Sequence, residues 1–354
     1  MNDKEKCCAR RKTSIGGQAL MEGIMMRGPE KNAMAVRRAN GEIVFEESLN
    51  QKKKRPRFCR WPVIRGVFGF IDSLAIGYKA LMRSAEIAME DELAEEEKKS
   101  ADEPVAEPAA AVESAEKEEK KGFSKGAMAA VMVIATVLGF ALAIGLFIWL
   151  PSFLYNLIAK YTPAEWELGA NRYLRSVFEG ILKILVLVLY MALVSLMKDI
   201  RRTFMYHGAE HKTIFCYEKG IPLTVENVKK QRRFHPRCGT SFLILMLLVS
   251  IVIGLFIPPT FEGINPTLYT VIRAAIKLLL IPLTMGIGYE LLKFAGKHEN
   301  ILTRIISAPG MWLQRITVKE PTDDMIECAI KAFVAVLPEE EMEAEIAAAK
   351  EQIE

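Results

Sequence analysis

AMAAVMVIATVLGFALAIGLFIWL, residues 127–150, is a run of 24 positions without a charged side chain. As an α-helix rising about 1.5 Å per residue, it is long enough to cross a hydrocarbon core about 30 Å thick. A second uncharged run, from Ser241 to Phe261, reads the same way, with Pro258 and Pro259 predicting a helix end near Ile257. Two further apolar stretches, from about Val177 to Met197 and from about Val271 to Ala295, carry charges: Lys183 in the first, and Arg273, Lys277, Glu290 and Lys293 in the second. Long basic side chains near a helix end can snorkel to the interface, whereas a glutamate has a shorter reach. The expected fold is a mainly α-helical polytopic membrane protein with four transmembrane helices.

Charge sets the expected orientation. Residues 198–240, between the second and third spans, hold ten Lys or Arg, against three in 151–177 and none in 258–270. The positive-inside rule places this loop and both termini in the cytoplasm, together with all four histidines, His207, His211, His235 and His298. The chain has 354 residues, 51% of them hydrophobic and 25% charged, and the unremarkable average hides how strongly the charges cluster. Six cysteines without a framework of spacings exclude a disulfide-stapled secreted domain, and the composition excludes collagen-like repeats and disorder throughout. The opening MNDKEKCCARRKTS leads into no apolar core, which argues against a cleaved signal peptide. Cys7, Cys8, Cys59, Cys216, Cys238 and Cys328 all map to the cytoplasmic side, where thiols stay reduced.

Outside the spans, AMAVRRANGEIVFEESL (33–49) alternates about Asn40-Gly41 and predicts a β-hairpin with a type I′ turn. From about Trp61 to Ala88, apolar residues recur at helical spacing among Arg65, Asp72, Lys79 and Arg83, which predicts a helix lying on the membrane surface or packed on the hairpin. Residues 90–121 hold thirteen acidic and five basic side chains among Ala, Pro and Ser, the pattern of a flexible tether. After the last span the sequence predicts a Pro-Gly turn at Pro309-Gly310, an Asp-capped amphipathic helix from near Asp323, and a polar helix former at the end. The expected organisation is a cytoplasmic α+β region containing the hairpin (1–89), an acidic linker (90–121), a four-span membrane domain with a histidine-bearing loop (122–298), and a cytoplasmic helical tail (299–354).

The chemistry concentrates in YHGAEHKTI (206–214), which contains His207, Glu210 and His211 in the H-x-x-E-H order of inverted zincins. On a helix, positions i and i+4 share a face, so two imidazoles can reach one cation with Glu210 beside them. The plain alternative is that both histidines cap or hydrogen-bond a polar loop. Downstream, RRFHPRCGTS places His235 and Cys238 three apart, and Pro236 favours a tight turn in which such a knuckle can chelate. If His207, His211, His235 and Cys238 all bind, a zinc ion is fully coordinated and staples the loop. If His207 and His211 bind with a carboxylate, a water can take the open position and Glu210 can accept its proton. Glu290 is the leading third ligand in that case, its alternative being an i+3 pair with Lys293. His298 reads as an exposed loop residue. Pro282, Gly286 and Gly288 suggest a kinked fourth span with close backbone approach.

SIGGQALMEGIMMRGP (14–29) has neither phosphate-loop nor dinucleotide spacing. Taken with HGAEHKTIFCYE and RFHPRCGTSF, it resembles the YqhQ-like family of bacterial membrane proteins, often described as predicted metal-dependent enzymes. The resemblance covers about residues 13–88 and 123–335. It implies a bacterial inner-membrane location and a surface shared by Glu22, Arg27 and the histidine loop. The alternative for these two is a tight turn in which Glu22 bonds Arg27.

Two functions follow. One is a membrane-bound metal-dependent hydrolase at the cytoplasmic boundary, acting on a lipid-linked molecule or a membrane peptide. The other is a scaffold or assembly factor whose structural zinc fixes the loop for a protein partner. A transporter has less support, because four spans with no inverted repeat offer little pathway. Nucleic acid is not an expected partner, since no aromatic series accompanies the basic residues. Imidazole and thiolate donors favour Zn²⁺, with iron or manganese fitting a carboxylate-rich set.

Overall fold

The structure is a computed structural model that describes residues 13–50, 55–102, 125–162, 172–258, 265–298 and 300–352. The N-terminal residues read against a cleaved leader, with Cys7 and Cys8, and residues 103–121 of the expected tether lie outside the described residues. The chain forms two compact units, one built from residues 1–92, 187–253 and 279–354, the other from 93–186 and 254–278.

The first unit is organised by an antiparallel sheet, β1 (Gly16–Leu20), β2 (Gly23–Arg27), β3 (Lys31–Arg37) and β4 (Ile43–Leu49), in the order β1-β2-β3-β4. The expected hairpin is its β3–β4 half, registered Arg37↔Ile43. Its turn is not type I′, because Gly41 has φ +88° while Asn40 stays at negative φ. Gly41 N donates to Arg38 O and Arg38 N to Glu42 O, the pattern of a turn closed by a glycine bulge. Strands β1 and β2 escape the sequence pattern because they are glycine-rich and five residues long, joined at Met21-Glu22 with Glu22 at φ +49°.

Alternation along β2 and β3 feeds two cores. Ile24, Met26, Ala33 and Ala35 face Tyr206 and Ala209 of α5 (Lys198–Glu218) and Met325, Ala329 and Phe333 of α11 (Asp323–Ala335). Met25, Met34 and Val36 face Ala80 and Ile87 of α1 (Ile64–Asp102). Burying each large side chain such as Ile24 or Met26 contributes about 1.5–3 kcal/mol, so the sheet is held from both sides. α1 packs on the hairpin, as one of the two expected placements has it, and Ile71, Leu74 and Tyr78 remain exposed at helical spacing on its surface. It also runs past the expected start of the tether at Glu90. Glu, Lys and Ala favour helix, and Arg38 pairs with Glu90 and Asp91 just where α1 leaves the sheet.

Pro309-Gly310 does not turn the chain. Both lie inside α10 (Ile301–Thr317), where the absent Gly310 side chain lets the backbone approach Ser241, whose Cα is 2.5 Å from an added Cβ. The cap of α11 is Thr322, with Asp323 and Asp324 in the first turn, where they favour the helix dipole. The polar C-terminal stretch forms α12 (Glu339–Glu351), tied back through a hydrogen bond between Tyr217 and Glu341.

Among the described residues, two helices are long and apolar enough to cross a membrane: Val133–Tyr161, which combines α2 (Lys125–Ile144), a π-helical turn (Gly145–Trp149) and α3 (Leu150–Tyr161), and Tyr173–Val194 within α4 (Arg172–Val194). The first does not stop at Leu150, because the widened turn ahead of Pro151 accommodates the proline ring. The fourth expected span is broken at Leu280 into α8 (Pro266–Leu279) and α9 (Ile281–Lys297), with Pro282 in the first turn of α9, and qualifies as a third candidate when the pair is taken together. The expected span from Ser241 to Phe261 is an apolar helix of 16 residues, α7 (Gly239–Gly254), about 24 Å long against a core of about 30 Å. Ser176 Oγ donates to Gly254 O at 2.8 Å where α7 stops. Among the described residues there are therefore two or three candidate spans.

In the second unit, Arg273 and Lys277 do not snorkel; both turn inward to Glu179 of α4.

Candidate metal centre

His207 and His211 lie one turn apart on α5, and Cys238 stands immediately before α7, after the turn at Pro236-Arg237. A ligand atom from each of the three lies within 4.8 Å of the others. His207 Nδ1 meets Thr317 O at 3.0 Å and His211 Nδ1 meets Arg233 O at 2.5 Å. A carbonyl can only accept, so each Nδ1 carries the proton and, in the neutral ring, each Nε2 keeps its lone pair. His207 Nε2 lies 3.1 Å from Cys238 Sγ, and His211 Nε2 is buried without a hydrogen-bond partner. Metal–nitrogen and metal–sulfur bonds of about 2.0 and 2.3 Å in a tetrahedron separate N from S by about 3.5 Å, so the His207–Cys238 pair would open by a few tenths of an ångström to hold zinc. Burial pushes the His211 pKa down, which favours the neutral, ligating ring.

Glu210 lies on the same helix and accepts from Gly17 N at 2.9 Å. Burial pushes its carboxyl up, against the opposing pulls of His207 and the Gly17 N–H. A Cβ on Gly17 would come within 2.8 Å of Glu210 Cδ, so a side chain there would push the carboxylate aside. Glu210, His211, His235 and Cys238 line one cavity of about 620 Å³ with Gly16, Gly17, Arg27 and Arg237. A divalent ion on His207, His211 and Cys238 would retain one tetrahedral position for solvent or substrate.

The other candidates have different partners. His235 Nε2 faces Glu218 at 3.7 Å, and its backbone is clamped by Gln314, which accepts from His235 N and donates to His235 O, both at 2.8 Å. It lines the cavity but is not grouped with the three donors. Glu290 is held by Arg65 through a bidentate ion pair, with neither the histidine–cysteine group nor Lys293 as its main partner. That pair closes the junction of α1 with α9, where a Cβ on Gly286 would come within 2.4 Å of Val63 O, the close approach the glycine suggests. Glu290→Gln is accordingly expected to leave metal content unchanged; metal loss in that variant, measured by inductively coupled plasma mass spectrometry, would restore it as a ligand.

Glu22 pairs with Arg202, and Arg27 Nη1 donates to Ser73 Oγ at 2.9 Å, so the two do not bond each other. Arg27 reaches the cavity from the end of β2, while Glu22 sits at the opposite turn. His298 is exposed and bonds Phe294 O of its own helix at 3.1 Å. Sequence reasoning missed the part played by Gly17, Arg237 and Glu218: Arg237 bonds Thr13 O and Glu218, bringing the N-terminal segment over the centre. The Gly16-Gly17 pair is the signal for close backbone approach there.

The family model described as a protein of unknown function (DUF1385) matches residues 61–339. The protein YqhQ of Bacillus subtilis (strain 168), itself described as uncharacterized, is 33% identical over 338 residues, covering 92% of each chain. No solved structure matches. With the family model spanning most of its length and a relative similar over 92% of it, the chain belongs to the DUF1385 family and is a relative of YqhQ.

Proposed function

We propose that this protein is a membrane-bound, metal-dependent hydrolase whose centre lies at the cytoplasmic boundary of the bacterial inner membrane. The observation that carries this is the convergence of His207, His211 and Cys238, with both Nδ1 atoms engaged by carbonyls, and the cavity that His211 and Cys238 line together with Glu210. A bound divalent ion, zinc by its donor set, supplies Lewis acidity and makes water a stronger acid. Glu210 would serve as the general base beside such a centre, its burial raising the basicity of its carboxylate. Arg27 and Arg237 on the cavity wall hold an anionic part of a lipid-linked molecule or a membrane peptide. A membrane-boundary position is supported by the chain itself: α5 begins at Lys198, four residues after α4 ends at Val194, and Cys238 adjoins apolar α7. Counting α7 as a short crossing and α8–α9 as one broken span gives four, with both termini cytoplasmic, in agreement with the charge of residues 198–240.

The test pairs donor counting with one substitution. X-ray absorption of the metal-loaded protein is expected to show two nitrogens, one sulfur and an exchangeable oxygen. Glu210→Gln is expected to keep the metal while hydrolysis falls by about 10²–10⁴-fold. A second reading, a scaffold whose zinc fixes the loop for a protein partner, is favoured by Cys238 and by the way the cluster links α5, the start of α7 and the end of α10. Four protein donors and no exchangeable position would establish that reading over catalysis.

A further inference from the structure

In the second unit, α3, α4 and α8 enclose a cluster of charges. Glu179 is 2% exposed and accepts on Oε1 from Arg175 Nε at 3.1 Å and Ser152 Oγ at 3.0 Å. Its Oε2 accepts from Arg273 Nη2 at 3.4 Å and from Lys277. Arg175 and Arg273 are 4% and 1% exposed. Among the described residues of these three helices, Glu179 is the sole carboxylate. Guanidinium does not deprotonate in proteins. Among the described residues, even with Lys277 neutral, two arginines against one glutamate leave the cluster one positive charge in excess.

The hydrogen bonding is incomplete in the same sense. Arg175 Nη2 and Arg273 Nε are buried with no acceptor. The Arg175 guanidinium lies over the rings of Tyr155 at 5.3 Å and Tyr269 at 5.5 Å, which shield the charge but accept none of its N–H groups in a planar fork. Arg273 Nη1 uses Tyr269 Oη at 3.1 Å and Pro258 O at 3.4 Å. An uncompensated buried cation with unused donors is costly, and one oxyanion removes both deficits at once.

We propose that Arg175, Arg273 and Lys277 form a binding site for a phosphate-type oxyanion, with Glu179 holding the cations apart and competing with the ligand for them. Arg175 Nη2 and Arg273 Nε are the donors it engages. The phosphate comes either from an anionic lipid headgroup or from free inorganic phosphate. The acids of the adjoining connectors, Glu165, Glu167 and Glu262, lie outside the described residues and are the rival source of counter-charge.

Full-length protein purified in detergent separates these. Native mass spectrometry with phosphatidylglycerol and phosphatidylcholine reads the lipid arm, and calorimetry with inorganic phosphate reads the free-anion arm. Selective retention of phosphatidylglycerol supports the site with a lipid ligand, and phosphate binding supports it with a soluble one. Arg175→Gln leaves Glu179 with Arg273, Lys277 and Ser152 and is expected to weaken the anion about tenfold, whereas Glu179→Gln removes the competing carboxylate and is expected to strengthen it about tenfold. A merely structural ion-pair network predicts no such opposite pair. If the two lipids bind alike and phosphate does not bind, or if both variants keep the wild-type anion affinity with normal circular dichroism, the proposal is overturned.

Discussion

His211→Ala is expected to strip the divalent ion from purified protein, with affinity falling by more than about 100-fold, beyond the 10–100-fold usual when an outer-shell partner of a ligand is lost. The ring is 1% exposed, and its Nε2 is the buried donor atom that lacks a partner. Only two of the three clustered donors survive its removal, and alanine cannot recruit His235, whose Nε2 is turned to Glu218 and whose backbone is clamped by Gln314. Metal stoichiometry after dialysis, with chelator competition, measures the loss. His298→Ala is the matched control, because His298 is exposed and bonded within its own helix. Equal metal content in wild type and His211→Ala would dismantle the proposed centre.

Gly208→Ala is expected to destabilise the protein by about 3 kcal/mol, the upper end for overpacking, because the added atom meets backbone rather than a movable side chain. An ideal Cβ at Gly208 lies 2.0 Å from Lys319 O and 3.3 Å from Pro321 Cδ. The same segment is fixed on α5 by the 2.9 Å hydrogen bond from Lys319 N to Phe204 O, so it cannot simply slide away. His207 precedes this glycine and bonds Thr317 O two residues before Lys319, so the substitution should also loosen the first of the proposed metal donors. Thermal unfolding reads the first effect and metal content the second. Gly239→Ala, where a Cβ meets nothing within 4 Å, should leave both unchanged. An unaltered melting temperature in Gly208→Ala would show that the approach of this segment to α5 is looser than described.

The two outcomes concern residues that are neighbours in a motif but were legible to different degrees. The spacing of His207, Glu210 and His211 is a helical spacing and could be read directly, since i and i+4 share a face whatever the helix packs against. Cys238 was legible as a candidate donor, while its neighbour His235 was not distinguishable from it, because a His-x-x-Cys knuckle can present one residue or both. Glu218 and Gln314 made that choice. Glu290 misled for a related reason. A carboxylate in an apolar stretch needs a partner, and sequence alone could not show that Arg65, 225 residues earlier, supplies it.

Local pattern determined the long apolar helices, the hairpin over 33–49, the helices of the C-terminal tail and the pairing of His207 with His211, because each follows from periodicity within a few turns of chain. Tertiary structure alone decided where glycine means approach rather than turning, as at Gly17 and Gly310, and which buried charges find each other, as with Arg273 and Lys277 on Glu179. Those outcomes depend on what another segment places within a few ångströms. Burial makes such distances decisive, since an unpaired charge or an extra carbon costs little in water and much inside a packed core.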